Sequence, residues 1–161
     1  MVVFILRVKA SLENVGQMSV VEGTQWCLKI KNPTGTDIRE NVFISDTESY
    51  NLPGSRGTAH FTVRWDGARA PAHASLIEVK NVLRPCLTAD DSDQWVPVAA
   101  LECRGLEPID WSPTENFSVE STGGNNFGVV DLSEGDWADF DDEAGESVSI
   151  MEIEHDVIVH K

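Results

Sequence analysis

Phe4-Ile5-Leu6-Arg7-Val8-Lys9-Ala10-Ser11-Leu12 is the stretch that decides the fold class of this chain. Phe4, Leu6, Val8, Ala10 and Leu12 alternate with Ile5, Arg7, Lys9 and Ser11. That is the period of two expected of a strand with one face against a core. The alternation returns in Trp26, Leu28 and Ile30 against Cys27, Lys29 and Lys31, and in Ala59, Phe61, Val63 and Trp65 against His60, Thr62 and Arg64. Residues 75–82 read as a further strand. Residues 147–159 read as the last long one, with Met151, Ile153, Val157 and Val159 on the side of His155. Gly, Pro, Asn and Asp clusters separate these runs, and no stretch of helical length keeps a three-to-four residue apolar spacing. The pattern predicts a mainly β protein of antiparallel sheets with few or no long helices.

The chain also resembles itself. Phe61-Thr62-Val63-Arg64-Trp65-Asp66-Gly67, a polar turn and Ser75-Leu76-Ile77-Glu78-Val79 form one block. Trp137-Ala138-Asp139-Phe140-Asp141-Asp142, a polar turn and Ser149-Ile150-Met151-Glu152-Ile153 form another. Leu12-Glu13 and Leu101-Glu102 mark equivalent earlier strands. The expectation is one domain over residues 1–161, built of two related β halves with a pseudo-two-fold relation, residues 1–90 and 91–161. Their join falls near residues 84–97.

The length of 161 residues suits one domain, and 41% apolar content is enough for a packed interior. The opening Val2-Val3-Phe4-Ile5-Leu6 is broken by Arg7 and Lys9, too early to span a membrane, and lacks the features of a signal peptide. Cys27, Cys86 and Cys103 are odd in number and widely spaced, a poor disulfide framework that suits a reducing compartment and inert, buried thiols. Asn116-Phe117-Ser118 fits a glycosylation sequon that has no secretory context. A cytoplasmic, monomeric protein is expected. Of the net charge of −15, residues 1–104 carry only −1 (11 Lys/Arg, 12 Asp/Glu) and residues 105–161 carry −14 (15 Asp/Glu, one Lys). Such a field repels nucleic acid and anionic membrane, and attracts a basic protein surface. Asp136, Asp139, Asp141, Asp142 and Glu143 are the densest part, either a solvated face or an acidic docking surface.

Leu101-Glu102-Cys103-Arg104-Gly105-Leu106-Glu107-Pro108-Ile109-Asp110-Trp111 is too particular to be compositional. It resembles the "ECRGLEP" signature of the eukaryotic CXXC-motif-containing zinc-binding proteins, a family whose biochemical role is poorly defined. Leu6 to Val15 resembles that family's "LKATLENI" opening, Trp26-Cys27-Leu28-Lys29-Ile30-Lys31 its "W-x-L-K-x-K" strand, and Ser55-Arg56-Gly57-Thr58-Ala59 its "G-R-G-S-A" turn. Asp136-Trp137-Ala138-Asp139-Phe140-Asp141 and Glu146-Ser147-Val148 resemble its "DW-x-D-Y/F-D…ESV" ending.

In typical members the resemblance implies two CxxC pairs closing one structural zinc site, one after the "LKxK" strand and one after the strand that follows the "GRGS" turn. Four thiolates in a tetrahedral shell suit zinc. Laid onto this chain, the pairs fall at Asn32 and Gly35, and at Trp65 and Ala68, none of them a zinc ligand. The expectation is a degenerate site without zinc or any other cofactor. Asn32-Pro33-Thr34-Gly35 reads as a self-sufficient turn, with Gly35 supplying a left-handed position. Trp65 is expected to be buried in place of the metal, so that both former knuckles persist as plain hairpin turns.

His155 and His160 have opposite strand parity and no third ligand nearby in sequence, so they read as surface or core-edge residues. The acidic run 136–143 fails the spacing of a calcium loop. Glu102, Arg104, Glu107 and Asp110 form a candidate ligand or partner loop: carboxylates as acid and base with Arg104 on an anion, or Arg104 tying the loop down through ion pairs. No phosphate-binding glycine loop, nucleophile elbow or basic aromatic stripe is present. The residues favour a non-catalytic binding or adaptor module. The alternatives are a metal-handling protein, as the family name implies, and an enzyme built on residues 102–110.

Overall fold

The computed structural model describes all 161 residues. The strands are β1 (Val2–Glu13), β2 (Val15–Val20), β3 (Trp26–Lys31), β4 (Ile38–Ile44), β5 (Tyr50–Asn51), β6 (Thr58–Ala59), β7 (Phe61–Val63), β8 (Ala72–Ile77), β9 (Cys86–Thr88), β10 (Val96–Arg104), β11 (Glu107–Ser112), β12 (Phe117–Ser121), β13 (Asn126–Val130), β14 (Trp137–Asp141) and β15 (Glu146–Val159). The only helical element is a 3-10 turn, Ala89–Asp91. The mainly antiparallel β architecture read from the sequence is therefore observed. β8 begins three residues earlier than expected and stops at Ile77, because the chain turns at residues 80–82.

Three sheets carry the fold, ordered β14-β15-β1-β10-β8-β7, β11-β3-β4 and β13-β12-β2-β9, with β5 and β6 as a separate hairpin. All pairings are antiparallel. A two-fold relation runs through them. β1 and β10 pair at the centre of the large sheet; the β7–β8 hairpin flanks β10 and the β14–β15 hairpin flanks β1. The two hairpins differ in register by two residues: Leu76 and Ile150 match in the repeated blocks, yet Phe61 pairs with Ala74 while Trp137 pairs with Ile150. The halves also exchange strands. β2 of the first half pairs with β12 of the second, and β11 of the second pairs with β3 of the first. A second difference breaks the symmetry. Residues 45–60, with the β5–β6 hairpin, connect β4 to β7, whereas residues 131–136 alone connect β13 to β14.

One core lies between the sheets. Leu6, Val8, Leu28, Ile30, Leu101, Val148 and Ile150 are all but sealed from water, as alternation predicts. Trp26 meets Trp111 edge-on at 5.4 Å and Phe117 at 6.4 Å, which joins the two smaller sheets. Burying aromatic side chains of this size contributes a few kcal/mol each, about 25 cal/mol per Å² of apolar surface. The Trp111 indole N–H donates to the Arg7 carbonyl at 3.0 Å, so its one polar atom is satisfied. In β15 the expected parity is corrected by a bulge. Its register on β1 slips between Lys9 and Ser11, and Glu152 takes a positive φ of 51°. The side chains that reach the core are Val148 and Ile150 before the bulge and Ile153 and Val157 after it; Met151 does not share their face, and Val159 is exposed.

The join near residues 84–97 is anchored on both sides. β9 pairs with β2, and Arg84 grips the buried Asp91 through two bonds of 2.5 and 2.8 Å. Asp91 also accepts the Thr88 amide at 2.9 Å. The Arg84 guanidinium first, with Thr88 behind it, holds the Asp91 carboxyl below the usual carboxylate range.

Candidate functional site

A cleft of about 690 Å³ opens at one end of the first half. Its floor is the outer face of the β8–β10 pair, where His73 lies opposite Arg104 and Ser75 opposite Glu102. Alternation turns Ala74, Leu101 and Cys103 the other way, into the core. The walls are the Asn32-Pro33-Thr34 turn, the β5–β6 hairpin and the loop from Trp65 to Pro71. Of the four positions at which the resemblance places cysteines, Asn32, Trp65 and Ala68 line this one cleft and Gly35 does not.

The two turns that carry these positions are closed by hydrogen bonds. The Asn32 amide donates to the Asp37 carbonyl at 2.9 Å, and its side-chain oxygen accepts the Thr34 amide and hydroxyl at 3.2 and 3.1 Å. Gly35 is not left-handed, contrary to expectation; the Asn32 side chain closes the turn instead, and a Cβ on Gly35 would lie 3.0 Å from the Asn32 side-chain nitrogen. In the second turn Ala68 N–H donates to the Trp65 carbonyl at 3.0 Å. Trp65 is 4% exposed, donates its indole N–H to the Gly105 carbonyl at 2.8 Å, and carries the Arg39 guanidinium 5.4 Å from its ring centroid. Burial of Trp65 is as expected.

The candidate loop at 102–110 is not a loop. β10 runs through Arg104, the chain bends at Gly105, and β11 begins at Glu107 in a different sheet. Gly105 has φ +78°, and a Cβ there would press to 3.0 Å on the Ala72 Cβ, so glycine is demanded twice. The change of sheet separates the four charged candidates. Glu102 and Arg104 face the cleft. Glu107 pairs with Lys31 at 3.5 Å, and Asp110 contacts His155 Nδ1 at 2.9 Å while accepting the Trp111 amide. Arg104 makes none of the ion pairs expected of it: the six ion pairs of the molecule use other groups. The acid–base constellation is thus dispersed.

His73 is the cleft residue that sequence reasoning missed. Burial first, then the neighbouring Arg104 charge, lowers its pKa against the opposing pull of Glu102, which favours the neutral ring. Only its register opposite Arg104 reveals it, and a single sequence does not print register. The Asp110–His155 contact was equally hidden, since 45 residues separate the pair. Burial pushes the Cys103 thiol up to about 12 and raises Cys27, so both are poor nucleophiles at neutral pH.

The acidic group divides. Asp136, Asp139, Asp142 and Glu143 are exposed, but Asp141 is only 1% exposed and cannot serve as a surface charge. Its carboxylate accepts the Ser121 hydroxyl at 2.6 Å and the amides of Glu143 and Ala144 at 3.1 and 3.2 Å. Those donors, Ser121 foremost, hold its pKa down. The expectation that it belongs to a solvated docking surface is corrected: it organises the turn from within.

The sequence profile of a eukaryotic family described as "CXXC motif containing zinc binding protein" matches residues 5–158. This chain belongs to that family. A protein of the same description from Xenopus laevis is 35% identical over 158 residues, covering 96% of this chain and 97% of the relative. One from Homo sapiens is 33% identical over 156 residues, covering 95% and 96%. The fold matches a hypothetical protein from Plasmodium falciparum with a TM-score of 0.89 at 32% identity, over 98% of this chain and all of that one. It matches C1orf123 with a TM-score of 0.86 at 30% identity, over 98% and 99%. The family's zinc does not fit the residues present. The chain contains no CxxC pair, its three cysteines are scattered, and no three His, Cys, Asp or Glu side chains are arranged to hold a metal. No helix is long and apolar enough to cross a membrane.

Proposed function

We propose that this member of the CXXC family is a non-catalytic binding module whose metal-bearing end has become a metal-free ligand cleft. The observation that carries this reading is Trp65. A knuckle normally owes its order to four metal bonds. Here the turn is held by a buried indole that donates to Gly105, and the facing turn by the Asn32 side chain. The cleft supports binding rather than chemistry, because the Ser75 hydroxyl on its floor is hydrogen-bonded neither to His73 nor to Glu102 and so has no base to activate it. The exposed carboxylates Asp136, Asp139, Asp142 and Glu143 supply a second, electrostatic surface suited to a basic protein. The unpaired cysteines suit a reducing, cytoplasmic setting.

Elemental analysis of protein purified without chelator tests the reading. Zinc well below about a tenth of an equivalent, and a melting midpoint indifferent to chelator, is the expected result. About one zinc per chain with chelator-induced destabilisation would return the chain to the metal-handling role that the family name describes.

A further inference from the structure

Glu102 and Arg104 lie two residues apart on β10, so their Cα atoms are about 6.5–7 Å apart and both side chains leave one face. Both face the cleft, and neither has an oppositely charged partner within the 4.0 Å of an ion pair. Unpaired opposite charges on an open surface would be unremarked, since water satisfies them. These two instead line a concavity, Glu102 half-buried and Arg104 exposed, which they share with polar residues and with the apolar Leu52 and Pro53 of the β5–β6 hairpin and Pro71 of the loop ahead of β8. His73 and Ser75 complete the floor with neutral polar groups.

The pair asks for a ligand with both charges. A guanidinium offers a planar fork to a carboxylate, and a carboxylate accepts the N–H groups of an ammonium. A simple anion would satisfy Arg104 but meet Glu102 as a like charge; a simple cation would do the reverse. An α-amino acid presents carboxylate and ammonium on one carbon and leaves its side chain free to turn toward Leu52, Pro53 and Pro71. The volume lies in the range of small-molecule sites, about 300–1,000 Å³. We infer that the cleft binds a free α-amino acid with a large apolar side chain, its carboxylate on Arg104 and its ammonium on Glu102. The inference rests on the reading of the chain as a metal-free binding module.

Calorimetric titration of the full chain with L-phenylalanine and L-leucine tests it, with N-acetyl-L-phenylalanine and L-phenylalaninamide as probes lacking one charge each. Saturable binding with a Kd below about 1 mM is expected for the free amino acids. Each blocked probe should bind at least about tenfold more weakly, because it strands one charged group of the site. Arg104→Gln should erase the discrimination against the amide, and Glu102→Gln that against the N-acetyl compound, with unchanged melting midpoints to show an intact fold. Failure of every protein amino acid to saturate the chain at about 10 mM overturns the inference. So does equal affinity for L-phenylalanine and its N-acetyl derivative, which removes Glu102 from the site but leaves a binding cleft. Zinc in the same preparation is a separate reading, and it alone would bring down the binding-module proposal.

Discussion

Trp65 and Asp141 match in the two repeated sequence blocks, Trp65 just past the end of β7 and Asp141 at the end of β14, and both are withdrawn from water. Their chemistry is opposite. Trp65 secures its turn with a large apolar surface and one N–H donated to Gly105. Asp141 secures its own by accepting from Ser121, Glu143 and Ala144. The position therefore needs a side chain that binds the turn to its neighbours, and either hydrophobic burial or a saturated set of hydrogen bonds meets that need.

The largest effect that could break this comparison is at Trp65. Trp65→Ala should cost about 3–5 kcal/mol in urea unfolding, through lost burial and a cavity at the turn. A loss below about 0.5 kcal/mol would mean that the indole secures nothing. Next comes Asp141→Ala, which should lower the melting midpoint by roughly 5 °C. It should also flatten the acid limb of the stability curve. Because the folded-state pKa of Asp141 is depressed, its contribution is fully present above the unfolded value and disappears as pH falls through the folded one. The wild type should therefore lose stability below about pH 4 more steeply than the variant. Parallel acid limbs would show that the carboxylate is not what holds the turn. Arg39→Ala, which removes the cation over the Trp65 ring, should cost only about 0.5–1 kcal/mol. A cost above that of Trp65→Ala would reverse the assignment of anchor and ornament.

The smallest expected change in stability sharpens the comparison from the other side. Joint replacement of Asp136, Asp139, Asp142 and Glu143 by Asn and Gln should leave the melting midpoint within about 2 °C. The same variant should associate more slowly with a basic probe protein such as cytochrome c, and the deficit should vanish at about 1 M salt, where screening reaches only about 3 Å. An association rate equal to that of the wild type at low salt would confine the acidic face to a solubility role.

The sequence made the strands legible where alternation was sustained, as in Phe4 to Leu12, but it ran Ala59 to Trp65 together as one strand, whereas the chain changes sheet at His60 and leaves the strand after Val63. It misplaced the 102–110 region, because charged residues around Gly105 and Pro108 look like a loop. In the fold Gly105 is only the bend by which the chain leaves one sheet for another. Burial of Trp65 could be foreseen from its size. That of Asp141 could not, since a carboxylate enters the interior only when donors from distant residues such as Ser121 are already in place. The cleft was hidden for a similar reason: its floor is set by cross-strand register, and its wall by a hairpin that only the first half possesses.

The exchange of β2 and β11 between the halves, and the pairing of Phe4 with Val159, constrain how this protein can be made. A nascent chain that has extruded only residues 1–90 holds β1 without either neighbour and β2 without β12. Native contacts of such long sequence separation close late and slowly. β10 covers one edge of β1 first, and until β15 emerges the other edge stays open to strand addition by other chains. The same closure brings the two ends of the chain side by side, with His160 N–H on the Val3 carbonyl at 2.8 Å. A circular permutant joined there and opened within the β5–β6 hairpin would place β15 directly ahead of β1, and so turn the slowest pairing of the molecule into a local hairpin.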